Sequence, residues 1–249
     1  MSKNLIYIVA TDSPISKIKP SEYTEFGLKT WKYYCNKHNI DLIINTEHDN
    51  RFKYPVWNKE LIYEIGKNHN KIGIVDSDTM IKWDTENIFD IYNDEFCAVE
   101  DNANLGYSLN SIQNYNKFFP KIKLELHNYF NAGVLFFTKK HLDIFKDLLD
   151  FYLENKEELD NWSLGGGREQ TLLNFFVNKH KPNFKKLSPA YNLYHLPRKD
   201  ILKNNWQLKE DATPFFIKYG KIWHFTGFPV EQRKNLMSQT WNIIKNNYK

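Results

Sequence analysis

Cysteine is almost missing from this 249-residue chain: Cys35 and Cys97 are the only two, and their spacing suits neither a disulfide framework nor a zinc site, which fits a reducing compartment. No apolar run approaches the roughly 20 residues of a membrane-spanning helix. The start, Met1-Ser-Lys-Asn4 before a short apolar stretch, is not a signal peptide, so the expectation is a soluble, cytoplasmic protein with no transmembrane segment. Glycine is absent after the first apolar run, Leu5 to Ala10, which excludes a dinucleotide fold of the G-x-G-x-x-G type. A strong charge of either sign is lacking as well. With 34 basic against 30 acidic residues, the net charge of +4 permits an anionic ligand without the Lys and Arg clusters of a nucleic-acid binder. Internal repeats, low-complexity segments and linkers are absent.

What is abundant is apolar and aromatic: 41% and 16% of residues, enough for a bulky core with rings left over for stacking on a planar or sugar ligand. The length suits one large α/β domain. Leu5 to Ala10 reads as a buried strand, and the polar loop Thr11-Asp12-Ser13-Pro14 follows where α/β proteins often receive a nucleotide. A helix is expected from Pro20 to about His38, a strand at Asp41 to Asn45, and a helix from Tyr54 to about His69. A strand opening at Lys71 comes next. This alternation predicts a parallel sheet with right-handed crossovers. Further on, a short helix is expected at Trp83 to Tyr92 and a strand at Glu95 to Glu100. Asp101 to Asn128 shows no sustained period and reads as a substrate-covering loop. A strand at Phe130 to Phe137, an amphipathic helix at Lys139 to Glu158, and a helix entered through Leu164 to Gln170 follow. Tyr191 to Pro214 reads as mostly irregular. A short strand and turn at Lys221 to Gly227 precede a closing helix at Glu231 to Asn246.

The chemistry starts at Lys71 to Ile81, where the apolar run Ile72 to Val75 opens onto Asp76-Ser77-Asp78. Two carboxylates at the carboxyl end of a buried strand are hard oxygen ligands suited to Mg²⁺ or Mn²⁺, whose shells are commonly completed by water and substrate phosphates. Alone, the same three residues also read as a polar turn. His224, between Trp223 and Phe225, reads alone as a core histidine, and Lys59 as a helix-surface lysine. Asn131 could be a hydrogen-bonded strand start. Gly165 to Gly167 could simply precede a helix, whose first turn suits Glu169 and Gln170.

In order, Trp57-x-Lys59, Asp76-x-Asp78, Phe130-Asn-Ala-Gly133, Glu169-Gln170 and His224-x-x-Gly227 resemble the metal-dependent GT-A glycosyltransferases. Tyr129-Phe-Asn-Ala-Gly-Val-Leu-Phe136 and Glu169-Gln-Thr-Leu-Leu-Asn174 are similar to glycogenin and the bacterial lipooligosaccharide α-galactosyltransferases. Tyr54-Pro-Val-Trp-Asn-Lys59 followed by Asp76-Ser-Asp-Thr79 is similar to the plant xylosyltransferases and the yeast α-galactosyl- and mannosyltransferases. The resemblance implies a single GT-A (Rossmann-like) α/β domain with a mixed, mostly parallel central sheet flanked by helices. Residues 1–100 would form its nucleotide-sugar half, 101–228 its acceptor and sugar half, and 229–249 a C-terminal helix. It further implies Mn²⁺ or Mg²⁺ held by Asp76, Asp78 and His224. Ala10, Thr11 and Asp12 would border the nucleoside of a UDP-sugar, Lys59 would approach the donor phosphate or sugar, and Ser77 and Gly227 would be further donor-binding residues. Asn131 and Gly133 would sit beside the sugar, with Glu169 and Gln170 facing its hydroxyls and anomeric carbon. Since an amide is a poor nucleophile, retention through front-face attack is the implied outcome.

One departure stands out. The Lys-Pro pair these families carry shortly after His-x-x-Gly is replaced by Phe228-Pro229-Val230, leaving Arg233 and Lys234 as candidates for its diphosphate contact. Two other functions stay open. Aspartyl-nucleophile phosphatases share Asp-x-Asp after a strand but need Thr or Val where this chain has Met80, and a sugar-nucleotide-binding domain without turnover would tolerate the missing pair. The acceptor is open among glycan, lipid-linked sugar, protein side chain and modified nucleic-acid base.

Overall fold

A computed structural model describes residues 3–13, 15, 19–102, 104–161, 167–194 and 213–249. Leu164, Gly165, Gly166 and most of the Tyr191 to Pro214 stretch lie outside them. The strands are β1 (Leu5–Val9), β2 (Asp41–Asn45), β3 (Lys71–Asp76), β4 (Thr79–Ile81), β5 (Phe96–Glu100), β6 (Phe130–Thr138), β7 (Phe184–Lys186) and β8 (Ile222–His224). Six of them form one mixed sheet in the order β2-β1-β3-β6-β5-β7, and β4 pairs with β8 in a separate ribbon. β1 runs parallel to β2 and β3, and β5 parallel to β7, while β6 is antiparallel to both β3 and β5. The sheet is buried on both faces. Leu5, Tyr7, Ile72 and Ile74 feed one core cluster while Ile6, Ile8 and Val75 feed the other, the period-two alternation of a strand covered on each side.

The helices are α1 (Thr24–His38), α2 (Ile62–Ile65), α3 (Leu105–Tyr115), α4 (Leu142–Glu154), α5 (Lys156–Leu159), α6 (Arg168–His180), α7 (Phe215–Tyr219) and α8 (Val230–Ile244). None of the described helices is long and apolar enough to cross a membrane. Three expectations change. The Tyr54 to His69 helix is a 3₁₀ stretch at Pro55–Leu61, then α2, then a 3₁₀ turn at Gly66–Asn68. Its successive residues Trp57, Asn58, Lys59 and Glu60 are all buried, a demand that one face of an α-helix cannot meet. The Trp83 to Tyr92 helix shrinks to Ile88–Asp90, because α1 takes its backbone partners: Lys37 bonds the Trp83 carbonyl, His38 meets that of Thr85, and the Tyr34 hydroxyl donates to Glu86 O and accepts from Ile88 N. The supposed loop Asp101 to Asn128 holds α3, capped by Asn104 and buried along Ser108, Ser111, Ile112 and Tyr115. Those positions have helical spacing, but two serines on the buried face hide it from a hydropathy reading. The short strands β4 and β7 and helix α7 also went unread.

The β4–β8 ribbon positions the site. Pairing is antiparallel with Thr79 opposite His224, and Phe225 N donates to Asp78 O at 2.9 Å, so residues from the two halves of the chain are zipped side by side. α1 presses close on β4 at Gly27, where a Cβ would stand 2.4 Å from Thr79 O. Trp31 Nε1 donates to Thr79 Oγ1, which donates to Asp76 O at 2.6 Å and closes the Asp-Ser-Asp turn. A third apolar cluster of Tyr23, Met80, Trp223, Phe225, Leu236 and Met237 fixes α8 on this ribbon.

Candidate active site

A cleft of about 310 Å³ opens at the carboxyl ends of β1 and β3, the edge at which open α/β sheets take ligands. Of the residues singled out in the sequence, Thr11, Lys59, Asp76, Ser77 and Asp78 line it, joined by Tyr23, Tyr54, Arg168, Thr226 and Arg233. Beside it, ligand atoms of Asp76, Asp78 and His224 fall within 4.8 Å of one another. His224 Nε2 is 3.1 Å from Asp78 Oδ1 and 3.6 Å from Asp76 Oδ2. This nitrogen is fully buried and has no assigned hydrogen-bond partner. Its ring sits behind it with Nδ1 2.8 Å from Asn192 Oδ1. Two carboxylates and an imidazole nitrogen turned toward them make a donor set that fits Mn²⁺ or Mg²⁺. Gly133 supplies the floor: a Cβ there would lie 2.3 Å from His224 Cε1 and 2.8 Å from Asp76 Oδ2, filling the cradle.

Lys59 is buried and bridges Asp76 Oδ1 at 2.7 Å and Glu169 Oε1 at 2.9 Å, with the Ala132 carbonyl at 3.3 Å. Burial works against its charge, yet Asp76 and Glu169 outweigh it and hold the ammonium above its ordinary range. Glu169 shifts upward, since burial outweighs the pull of Lys59. Burial also opposes the Asp78 charge, but His224 and then Arg233 outweigh it and keep this carboxyl below the usual range.

Other expected site residues lie close by in different roles. Ala10 is buried behind the cleft, and its N–H bonds Asn45 O at 2.7 Å. The Asp12 carboxylate accepts from Ser21 N at 2.9 Å and Ser21 Oγ at 2.6 Å, which ties the loop after β1 to the entry of α1. Asn131 Oδ1 accepts from Gly133 N at 2.9 Å. Gln170 is spent on neighbours: its Oε1 accepts from Ala132 N at 3.1 Å, and its Nε2 donates to Asp101 Oδ2 at 3.0 Å and Tyr129 OH at 3.2 Å. Gly227, exposed with φ +77°, makes the turn that carries the chain from Thr226 toward α8.

Of the two candidates for the missing lysine, Arg233 reaches the cleft and Lys234 lies on a separate surface beside Phe26 and Asn235. Arg233 Nε is 3.3 Å from Asp78 Oδ2, its Nη1 donates to Tyr23 OH at 3.0 Å, and its Nη2 donates to Phe228 O at 3.1 Å. Sequence reasoning missed Asn192, Asp101, Tyr23 and Arg168, and gave Tyr54 only as the start of a motif. Arg168 stacks its guanidinium 3.9 Å over the Tyr54 ring, from a residue held at φ +25° after Gly167 at φ +89°. None of these positions follows from a spacing rule, because each acts through a partner distant in the chain.

Comparison with known proteins agrees with this layout. The profile of Glycosyl transferase family 8 matches residues 10–229. No curated protein matches the sequence. Among solved structures, a glycosyltransferase involved in glycosylation of the major capsid of PBCV-1 superposes with a TM-score of 0.62 at 12% identity, covering 95% of this chain and 99% of that one. The galactosyltransferase LgtC, solved with donor and acceptor sugar analogues, gives 0.52 at 12% identity, covering 96% and 99%. GlyE of Streptococcus pneumoniae TIGR4 gives 0.53 at 16% identity, covering all of this chain and 63% of that one. At such identities the structural matches establish the fold alone: a single GT-A domain with a mixed, mostly parallel sheet.

Proposed function

We propose, from the premise that this chain belongs to glycosyl transferase family 8, that it moves a sugar from a UDP-sugar to an acceptor hydroxyl, with Mn²⁺ or Mg²⁺ and with retention of configuration. The observation that carries this reading is the buried, unsatisfied His224 Nε2 facing Asp76 and Asp78 at the mouth of a strand-end cleft. These three residues would hold the ion, which supplies positive charge to the diphosphate as it departs. Around it, the half-buried Arg233 and the buried Lys59 offer cations of different character. The first presents a fork anchored by Tyr23 and Phe228 and takes the diphosphate contact that the absent lysine leaves open. The second is clamped between Asp76 and Glu169 and marks the boundary between phosphate and sugar. Thr11, Ala10 and the Asp12-tethered loop border the uridine. Asn131, Gly133 and Glu169 receive the sugar.

Retention is carried over from the family resemblance. The Gln170 amide is a poor nucleophile held by three partners and Glu169 is engaged by Lys59, which argues against a covalent glycosyl-enzyme intermediate. In the retaining reading the acceptor oxygen bonds to the anomeric carbon on the face from which the phosphate oxygen leaves, and its proton passes to that phosphate. A screen of UDP- and GDP-sugars for Mn²⁺-dependent hydrolysis and for thermal stabilisation tests the donor. A UDP-sugar should be consumed by the parent, with turnover lost in Asp78→Asn. Undiminished turnover in that variant would sink the metal assignment, and phosphate release from phosphomonoesters alone would favour the phosphatase.

A further inference from the structure

Asn192 belongs to none of the sequence motifs, yet it is almost fully buried between a residue of the metal cradle and one expected beside the sugar. It ends a 3₁₀ turn at Pro189–Asn192. The direction of every hydrogen bond around it is fixed by one backbone group. Gly133 N can only donate, so the Asn131 atom 2.9 Å away is the carbonyl oxygen Oδ1. That oxygen also receives Asn192 Nδ2 at 2.9 Å. Asn192 Oδ1 is then the atom that meets His224 Nδ1 at 2.8 Å, and an oxygen facing it requires Nδ1 to carry the proton. Turning the Asn192 amide over would set its oxygen against Asn131 Oδ1. In the neutral ring that a cation requires, the lone pair is thereby placed on Nε2, the nitrogen between the two aspartates. Because Asn131 Oδ1 accepts twice, its Nδ2, which donates to no group among the described residues, is left to donate to a ligand.

We infer that Asn192 is a positioning residue whose single amide fixes the protonated nitrogen of His224 and the orientation of Asn131, tying cation binding and sugar recognition to one side chain. This rests on the metal reading above. A side chain that merely filled space would do neither.

The test labels histidine with ¹⁵N and reads His224 by long-range ¹H–¹⁵N correlation without metal, then titrates Mn²⁺ by the electron paramagnetic resonance of the free ion. In the parent, Nδ1 is expected to be protonated. Asn192→Leu keeps most of the volume but neither hydrogen bond, and should bind Mn²⁺ about 10- to 100-fold more weakly, with the Nδ1 proton no longer fixed. Asn192→Asp keeps an acceptor for His224 but turns a second acceptor on Asn131. It should hold Mn²⁺ within a few-fold of the parent while raising the donor-sugar KM, a split that simple loss of packing does not produce. An unprotonated Nδ1 in the parent, or parental Mn²⁺ affinity in the leucine variant, would overturn the assignment. Should the leucine variant fail to fold, the parent spectrum and the aspartate variant decide. Absence of Mn²⁺ binding by the parent would count against the metal reading, and the Nδ1 proton would still decide the role of Asn192.

Discussion

Gly133 shows how narrow the tolerances are at the scale of one residue. One methyl group at that position would overlap His224 Cε1 at 2.3 Å and press on Asp76 Oδ2 at 2.8 Å and Asn131 Oδ1 at 2.9 Å. A central strand position buried on both sides cannot move to relieve such contacts. Gly133→Ala should therefore leave a folded protein with its Mn²⁺ affinity reduced at least tenfold, read by titration calorimetry alongside a circular dichroism melt. Parental affinity in that variant would mean that the cradle is not where the ion binds. Residues that touch the site through a motif were legible in the sequence: Asp76, Asp78, Gly133 and His224 were all named from their order alone. Asn192 was not, because its value lies in hydrogen bonds to residues 61 and 32 positions away. Arg233 was legible only as one of two candidates. The register of α8 decides between them, turning Arg233 toward Tyr23 and Asp78 and leaving Lys234 outside the cleft.

Among the elements, β1, β3, β6 and β8 were readable because each is a short β-branched or aromatic run between turn residues, whereas the three-residue β4 was not. What defeated the reading were segments whose backbone partners come from elsewhere. Residues 83–92 lend their polar groups to α1, and β6 is opened by the Asn174 side chain, which accepts from Phe130 N and donates to Phe130 O. The helix α4 shows a device that a sequence motif nearly announces. Thr138 and His141 form a reciprocal cap on the 3₁₀ turn Lys139–His141 that leads into it, with Thr138 N donating to His141 Nδ1 at 3.3 Å. Burial, helped by the neighbouring Lys140 cation, pushes this imidazole down to about 4 from 6.5. Above pH 6.5 both folded and unfolded states hold it neutral, and the cap contributes fully. As pH falls toward 4 the unfolded state takes up a proton that the folded state refuses, so stability is lost across that window. His141→Gln preserves the acceptor in the Thr-x-x-Gln form of a capping box. Urea melts from pH 7 to 4 should show a smaller acid loss in this variant than in the parent. Equal loss in both would remove His141 from the account.

For the whole molecule, the organising fact is that the chain's two halves are joined at one turn. β3 delivers Asp76 to the sheet edge, Asp78 immediately precedes β4, and the ladder between Thr79 and His224 brings the later strand alongside. α8 covers this ribbon and returns Arg233 to Asp78, so the fold is closed around the cleft by its last long helix. The domain-scale α/β architecture followed from the alternation of strands and helices, whereas the antiparallel insertion of β6 between β3 and β5 did not, since strand order leaves no trace in local pattern. The central claim is that Asp76, Asp78 and His224 form one cation site serving a nucleotide cleft. Anomalous diffraction at the manganese edge, from crystals grown with Mn²⁺ and UDP, addresses it directly. The account predicts a single strong peak bounded by both carboxylates and His224 Nε2, with the diphosphate beside it and Arg233 in contact. Manganese bound elsewhere, or UDP in the cleft with no peak between those three side chains, would contradict it.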